Sequence, residues 1–256
     1  MAGEVRYEQR GAAAWLIIDR EARRNALDSA TIELLLAHLD RAEADPSVRV
    51  VCLTGAGAMV FSAGADLAAA RAGGDPLDGP RRYARLLRRM RGLEKPLVAR
   101  VNGHCLGGGL GPMLACDVVY AREGARLGLP EVTVGLFPMM VSALLVRDGV
   151  RKKVLELVYT GAQITAREAE ALGLVTRAVP DGELDAAVQR VVEAIAAAAP
   201  RAVQLGRRAL AEAEALPVDD AIEVLCERLG EVLSTEDAAE GLAAFAERRP
   251  PVWKGR

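Results

Sequence analysis

The order of hydrophobic and polar positions predicts strands that alternate with helices, followed by an end that is entirely helical. Four short apolar runs have the length and β-branching of buried strands: 12–18, 48–54, 97–101 and 118–121. Between these runs apolar residues recur at helical spacing, as Ile32, Leu35 and Leu39 do after two capping candidates, Asp28 and Ser29. Beyond about Val179 only helical spacing remains. This order indicates the α/β class with an all-helical C-terminal region.

The helices after Pro200 carry more apolar positions than a thin surface layer needs. These positions are Val203, Leu205, Leu210, Leu216, Ile222, Leu225, Leu229 and Leu233. Large exposed apolar surfaces mark interaction sites, so we expect these helices to contact other copies of the chain. The sequence therefore predicts two regions, a core over 1–197 that holds the chemistry and a helical oligomerisation region over 198–256.

Composition and charge narrow the functional classes. The chain has 256 residues, 51% of them hydrophobic, and can bury a full core without disulfides. Its 33 basic and 35 acidic residues are interspersed and give a net charge of −2, which argues against nucleic-acid binding. We find no apolar run long enough to cross a bilayer and no signal-peptide pattern, so we expect no membrane partner. The four cysteines lack C-x-x-C spacing, so we expect reduced side chains, a cytoplasmic location and no bound metal.

A glycine-rich segment is the strongest candidate for a binding site. Asn102-Gly-His-Cys-Leu-Gly-Gly-Gly109 follows the strand predicted at 97–101, and Pro112 suits the first turn of a helix behind it. Consecutive glycines let a backbone approach a ligand closely, and the N–H groups that begin a helix are unpaired. The pattern predicts a place for an anion or a polarised oxygen. A tight strand-to-helix connection would have the same composition.

Two further segments carry candidate chemistry. Phe61-Ser-Ala-Gly-Ala-Asp-Leu67 sets Gly64 between two alanines, which again lets a backbone N–H face a ligand. Glu131 follows Pro130 and has mainly apolar neighbours: Leu127, Leu129, Phe137, Met139 and Met140. Desolvation there would raise the pKa of Glu131 toward the range of a general base. The alternative is a glutamate that only begins a helix.

Other polar residues have weaker claims to a role. Five arginines share one face of a predicted helix: Arg81, Arg82, Arg85, Arg88 and Arg89. A solvated surface and a phosphate-contacting surface are both consistent with that pattern. Asp117 is expected to tie down the glycine loop through backbone hydrogen bonds, and His104 to pack beside the loop.

Three segments, in this order and spacing, resemble the enoyl-CoA hydratase/isomerase (crotonase) family: 61–67, 102–109 and Leu129-Pro-Glu131 with Gly135. Gly241-Leu-Ala-Ala-Phe245 and Arg248-Arg249 add to the resemblance, which runs from about residue 5 to the C-terminus. It implies a spiral of repeated ββα units whose helical C-terminal part makes trimer contacts. It also implies a homotrimer or a dimer of trimers that acts on an acyl-CoA thioester. No cofactor is implied apart from the coenzyme A that the substrate carries.

The resemblance further implies which residues act. The thioester carbonyl oxygen would lie between the backbone N–H groups of Ala65 and Gly108, with Glu131 as acid and base. Asp66 is also expected to fix its own turn. Substrate or coenzyme contacts are implied for Arg24, Ala63, Asp66, Leu67, Gly107, Gly111, Pro130, Phe137, Met139, Phe245 and Arg248, the last two from a neighbouring subunit.

The chain departs from the hydratase pattern at Gly111. Hydratases of the family use two glutamates, and the first of these positions carries no side chain here. The segment 137–141 is also expected to make the pocket wall bulkier and drier, which favours proton shuttling over holding a water. We therefore expect a double-bond isomerase, with an enoyl-CoA hydratase as the alternative and a non-catalytic acyl-CoA-binding relative as a third interpretation.

Overall fold

Residues 4–66 and 75–256 are described by the computed structural model, and their strands form two sheets. The strands are β1 (Val5–Arg10), β2 (Ala13–Ile18), β3 (Val50–Gly55), β4 (Val60–Ser62), β5 (Leu97–Val101), β6 (His104–Leu106), β7 (Val118–Arg122), β8 (Arg126–Gly128), β9 (Gln163–Thr165) and β10 (Arg177–Val179). The helices are α1 (Ser29–Ala44), α2 (Asp78–Arg91), α3 (Leu110–Leu114), α4 (Met139–Asp148), α5 (Arg151–Thr160), α6 (Ala166–Ala171), α7 (Leu184–Ala197), α8 (Pro200–Ala213), α9 (Val218–Leu233) and α10 (Glu236–Glu247).

From β3 onward, consecutive strands alternate between the two sheets as far as β8. The larger sheet has the order β1-β2-β3-β5-β7-β10, and the smaller has the order β4-β6-β8-β9. The pairs β1–β2 and β8–β9 are antiparallel, and the other paired strands are parallel. Successive pairs β3–β4, β5–β6 and β7–β8 each place one strand in each sheet and are followed by a helix. These are the repeated ββα units, so the predicted α/β spiral with a helical end is confirmed.

The centre of the larger sheet is buried on both faces. Every residue of β2 and β3 is buried, which explains why these strands read as continuous apolar runs. Leu16 and Leu53 point into one core with Ile32 of α1. Trp15 and Val188 of α7 belong to a second core on the other face. Helices therefore cover both faces of the sheet.

Five strands are too short for hydrophobic periodicity to reveal. Strands β4, β6, β8, β9 and β10 have three residues each. Three residues do not complete enough two-residue repeats to distinguish a strand from a loop. The sequence therefore predicted four strands of the larger sheet, β2, β3, β5 and β7, but not β1, β10 or the smaller sheet, which carries the candidate site.

The C-terminal helices begin at Pro200, close to the predicted boundary at 198. Arg207 of α8 joins them to the core, since its Nε lies 2.8 Å from the Asp117 carboxylate and its Nη2 donates to the Met90 carbonyl at 3.1 Å. The helix α9 lies wholly in the described part of the chain, and none of its residues is buried. The division into a catalytic core and an oligomerisation region stays a prediction. Within residues 4–66 and 75–256, no helix has the length and apolar composition needed to cross a membrane.

Candidate active site

Three of the candidate segments follow three neighbouring parallel strands of the smaller sheet. Ala65 lies three residues beyond the end of β4, Gly107 directly follows β6, and Glu131 lies three residues beyond β8. Strands β4, β6 and β8 are adjacent and parallel, so their carboxyl ends meet at one edge. Ligands of parallel sheets bind at this edge. Residues far apart in the chain thus come together here.

Ala65 presents a backbone N–H that is available to a ligand. Its segment pairs with Leu27, whose nitrogen donates to the Gly64 carbonyl at 2.8 Å and whose carbonyl accepts from Asp66 at 3.0 Å. The Ala65 nitrogen donates to no acceptor among the described residues, and Ala65 is exposed. The pairing with Leu27 therefore holds the segment in place and leaves the Ala65 N–H available.

Gly64 lets this segment approach the glycine loop closely. Its φ of +92° is a conformation that L side chains rarely adopt. A methyl carbon placed on Gly64 would lie 2.8 Å from the Gly108 nitrogen and 2.9 Å from the Leu106 carbonyl oxygen. The Gly108 nitrogen, like that of Ala65, donates no hydrogen bond within the described ranges. Two available N–H groups therefore stand near each other.

Gly107 allows the Glu131 carboxylate to lie against the same loop. Gly107 has a φ of +54°, and a methyl carbon placed on it would lie 3.1 Å from Oε1 of Glu131. Glu131 belongs to a short 3-10 helix, Pro130–Val134, in which Pro130 takes the first position. The carboxylate and the two available N–H groups are thus parts of one site.

The Glu131 carboxylate is desolvated. Its Oε2 is buried and has no hydrogen-bond partner in the described structure. Burial raises the pKa of Glu131 above its ordinary value, as the sequence predicts, and a backbone hydrogen bond opposes the rise only in part. An unpaired, desolvated carboxylate is suited to accept a proton.

The expected dry wall beside Glu131 is only partly present. Leu127 and Leu129 are buried as predicted. Met139 is 68% exposed and Phe137 39% exposed, with the Phe137 ring packed against Tyr159. In a single subunit Phe137 and Met139 therefore lie at the surface, whereas Val141 of the same segment is buried, and a bulkier, drier wall from 137–141 stays a prediction.

Gly111 has no open space beside it. A methyl carbon placed on Gly111 would overlap the Tyr83 hydroxyl and lie 2.9 Å from the Tyr83 Cζ. That hydroxyl donates a hydrogen bond to the Gly108 carbonyl, and burial raises the pKa of Tyr83 well above its ordinary value. The sequence shows that Gly111 carries no side chain, but it did not reveal that Tyr83 lies beside it. The available signal was the helical spacing of Tyr83, Leu87 and Met90, which are all buried.

Arg20 fixes the segment around Ala65 and was also missed. Its side chain is 7% exposed and lies 2.7 Å from the Asp28 carboxylate and 3.3 Å from that of Asp66. Asp66 therefore links its segment to Arg20, and its expected role in fixing its own turn stays a prediction. Leu67, a predicted contact residue, lies outside the described residues.

Among the described residues of a single subunit, no interaction brings the side chains of Arg24, Phe245 or Arg248 to the site. Arg24 is exposed, with a left-handed φ of 52° and a carbonyl that accepts from Ala63 at 3.0 Å. Phe245 is 85% exposed, and Arg248 follows it as the left-handed cap of α10. Ligand contacts of these residues stay predictions.

The arginine face of α2 is an ion-paired surface. Arg82 and Arg85 contact Glu33, and Arg89 contacts Asp40 at 2.7 Å, all on α1. This favours the solvated interpretation over a phosphate-binding surface. Asp117 accepts from the Leu97 nitrogen at 2.7 Å, and His104 Nδ1 accepts from the Arg126 nitrogen at 3.0 Å, so both have structural roles.

Fold and site together define a class of protein. An α/β spiral that sets two available N–H groups beside a desolvated carboxylate, in the part of the chain described, suits an enzyme that polarises a carbonyl group and moves a proton. A family model described as enoyl-CoA hydratase/isomerase matches residues 8–256. The chain belongs to this family and is an acyl-CoA enzyme.

Curated relatives and solved structures agree with this assignment. The chain is 39% identical to a putative enoyl-CoA hydratase of Thermus thermophilus, over 95% of this chain and 98% of the relative. It is 37% identical to enoyl-CoA hydratase EchA19 of Mycobacterium tuberculosis, over 97% and 96% of the two chains. An enoyl-CoA hydratase structure from Bacillus anthracis superimposes with a TM-score of 0.94 at 32% identity, covering 99% of this chain and 100% of that one.

Proposed function

We propose that the protein shifts the double bond of an enoyl-CoA thioester and uses Glu131 as its single acid and base. The observation that carries this proposal is the filled space at Gly111, where the Tyr83 hydroxyl stands in place of a second carboxylate. A site with one working carboxylate is matched to moving a proton between two carbons. Adding water across a double bond benefits from a second group that orients the water.

The carbonyl step would use the two available N–H groups. In the proposed complex the thioester oxygen accepts from the nitrogens of Ala65 and Gly108, which make no other hydrogen bond in the described residues. These donors bind the negatively charged enolate oxygen more strongly than the neutral carbonyl. Loss of one such donor typically costs about 3–4 kcal/mol of transition-state stabilisation.

The proton step would use Glu131 twice. Glu131 removes a proton from C2 of a 3-enoyl-CoA, and the electron pair moves onto the thioester oxygen as a dienolate. The protonated Glu131 then returns the proton to C4, which leaves the double bond between C2 and C3. Atoms and charge balance without water or a cofactor beyond the coenzyme A of the substrate. Because the pKa of Glu131 is raised toward neutral pH, its carboxylate is a stronger base than an exposed glutamate.

Substrate binding is proposed to involve the residues that flank these groups. Ala63, Gly107 and Pro130 border the donors and the carboxylate in the chain. Phe137 and Met139 are proposed to contact the acyl chain. We propose that Arg24 contacts coenzyme A together with Phe245 and Arg248 of a neighbouring subunit. Such a site needs more than one subunit, and we propose a homotrimer or a dimer of trimers.

An enoyl-CoA hydratase is the second candidate. Its specific support is the names of the relatives, which include the putative hydratase of Thermus thermophilus and a 2,3-dehydroadipyl-CoA hydratase of Escherichia coli, 36% identical to this chain. A non-catalytic acyl-CoA-binding role is less well supported, since the desolvated Glu131 is retained.

The test measures both reactions with both substrates. Wild-type protein is incubated with 2-enoyl-CoA and 3-enoyl-CoA of several chain lengths, and hydration and bond migration are followed together. We expect bond migration to exceed hydration. Glu131→Gln should lower turnover by about 10²–10⁴-fold and leave binding of a saturated acyl-CoA intact. Predominant hydration by the wild type would overturn the proposal in favour of the hydratase, and full activity of Glu131→Gln would exclude Glu131 as the base.

A further inference from the structure

The buried face of helix α2 brings one polar group, the Tyr83 hydroxyl, to the site. Tyr83, Leu86, Leu87 and Met90 are buried along this face. The three apolar side chains fill the core. The Tyr83 side chain reaches the loop between β6 and α3, where its hydroxyl donates to the Gly108 carbonyl. A polar group is therefore delivered from a helix to the edge of the glycine loop.

Tyr83 and Glu131 contact consecutive glycines of this loop. A methyl carbon on Gly107 would lie 3.1 Å from Oε1 of Glu131, and one on Gly108 would lie 3.8 Å from the Tyr83 hydroxyl oxygen. The same position on Gly108 is 3.4 Å from the Ala65 nitrogen. The hydroxyl is thus a neighbour of both the carboxylate and the two available N–H groups.

The space beside Gly111 is occupied as a whole. A methyl carbon there would overlap the Tyr83 hydroxyl, lie 2.9 Å from Cζ of the ring and lie 3.1 Å from Cδ2 of Leu87. A glutamate at position 111 needs this volume for its first carbon alone. The chain therefore differs from a two-carboxylate site by a missing side chain and also by a filled space.

We propose that Tyr83 is a specificity-determining residue, whose hydroxyl occupies the place of a second carboxylate and of the water it would hold, and so sets the ratio of bond migration to hydration. The proposal rests on the proposed function for the identity of the two reactions. It does not depend on which reaction dominates in the wild type.

The physical reason lies in what the phenol can and cannot do. An ordered water requires a space of its own and two to four polar partners. The Tyr83 oxygen fills the space, and its proton is already donated to Gly108. Because burial also keeps the phenol protonated, Tyr83 cannot replace a glutamate as a base. The place of a water beside Gly111 is therefore filled, and Tyr83 supplies no base that could activate one there.

The experiment compares three variants: one that removes the Tyr83 hydroxyl, one that adds a carboxylate at position 111, and one that makes both changes. Tyr83→Leu keeps an apolar side chain in the core and leaves the Gly108 carbonyl open to a water. Gly111→Glu alone should be poorly stable because its first side-chain carbon overlaps Tyr83. Tyr83→Leu combined with Gly111→Glu should relieve that overlap. Hydration and bond migration are measured for each variant with the same enoyl-CoA substrates.

We expect the ratio of hydration to migration to rise in Tyr83→Leu and to rise further in the combined variant. In the combined variant the rise should reach at least about tenfold, since a positioned acid–base group contributes about 10²–10⁴-fold. The thermal stability of the combined variant should exceed that of Gly111→Glu. Leu86→Ala is the matched control, because it opens an apolar cavity on the same helix and should leave the ratio unchanged.

Two results would overturn the inference. One is a ratio in Tyr83→Leu that equals the wild-type ratio while the protein remains folded by circular dichroism. The other is an equal change of ratio in Leu86→Ala, which would mean that any loosening of α2 has the same effect. Failure of the proposed function is seen separately, in the wild-type ratio and in Glu131→Gln. Tyr83→Leu also decides the question by itself if the combined variant does not fold.

Discussion

Glu131 owes its chemical character to what surrounds it. Its Oε2 is buried without a partner among the described residues, and its Oε1 lies 3.1 Å from the place that a methyl carbon on Gly107 would take. The charged form is therefore disfavoured, and the pKa is raised above the ordinary 4.5. A carboxylate in this condition gains by taking a proton, which is the property that the proposed reaction needs.

The first prediction concerns pH. The base works in its ionised form, so kcat/KM should fall as pH decreases through the raised pKa of Glu131, with an inflection above 4.5. Stability should change in the opposite direction. A folded pKa above the unfolded one contributes stability that is complete below the unfolded pKa and is lost as pH rises through the folded pKa.

Rate profiles and urea unfolding between about pH 4 and 8 measure both effects. Glu131→Gln should lose this component of the pH dependence of stability. An inflection in kcat/KM at or below the value of an exposed glutamate would contradict a desolvated base.

The second prediction concerns Gly64. Gly64→Ala adds a carbon 2.8 Å from the Gly108 nitrogen at a φ of +92°. It should destabilise the fold by about 1–3 kcal/mol and lower kcat/KM by moving the Gly108 donor. Gly206→Ala is the control, because Gly206 lies in α8 with open space around it and should gain up to about 1 kcal/mol. Equal unfolding midpoints for the two variants would contradict the close approach.

At the scale of elements, the N-terminus of α1 is coupled to the position of the segment around Ala65. Asp28 caps α1 by accepting from the Thr31 nitrogen at 2.8 Å through Oδ1. Its other oxygen lies 2.7 Å from the buried Arg20 guanidinium, which also contacts Asp66 beside Ala65. The start of α1 and the segment that offers the Ala65 N–H are therefore held by the same arginine.

The third prediction tests this coupling. Asp28→Ala should cost more than the roughly 1 kcal/mol of an ordinary N-cap, because it also removes a partner of a buried charge. Thr235→Ala is the matched control, since Thr235 caps α10 and makes no ion pair. Asp28→Ala should also lower kcat, whereas Thr235→Ala should not. Urea unfolding measures the free energy of unfolding, and steady-state kinetics measures kcat. Equal losses of stability and of kcat in the two variants would argue against the coupling.

At the scale of the whole molecule, apolar surface is concentrated on the C-terminal helices and near the site. The exposed C-terminal side chains are Leu210, Leu216, Val218, Ile222, Leu229, Leu233, Leu242, Phe245 and Val252. Those near the site are Val134, Leu136, Phe137 and Met139. Exposed apolar side chains in such numbers are typical of surfaces that contact other proteins.

The fourth prediction is the assembly. At micromolar concentration, light scattering after size exclusion should give three or six times the 27.1 kDa of one chain. Replacing Phe245 by Asp should weaken the assembly and raise KM for the acyl-CoA, because Phe245 is proposed to contact a neighbouring subunit's coenzyme. A monomeric wild type would contradict the prediction.

The sequence by itself determined the features that depend on local spacing. The central strands of the larger sheet and the Asp28 cap are both present. Each depends on residues within a few positions of one another, so composition and periodicity reveal it. The small-residue segments at 61–67 and 102–109 were likewise recognisable, because a close backbone approach needs glycine or alanine.

Only the tertiary structure decided which side chains share a space. Tyr83 and the Gly108 carbonyl that it binds are 25 positions apart, and Arg20 and Asp66 are 46 apart. Periodicity shows that Tyr83 is buried but not what its hydroxyl meets, because that depends on how two sheets and a helix pack. For the same reason the sequence shows only that Gly111 carries no side chain, whereas the fold places the Tyr83 hydroxyl beside it, and Met139, expected in the pocket wall, is exposed in a single subunit. Spacing along the chain determines the elements, whereas the neighbours of a side chain follow from packing between elements distant in sequence.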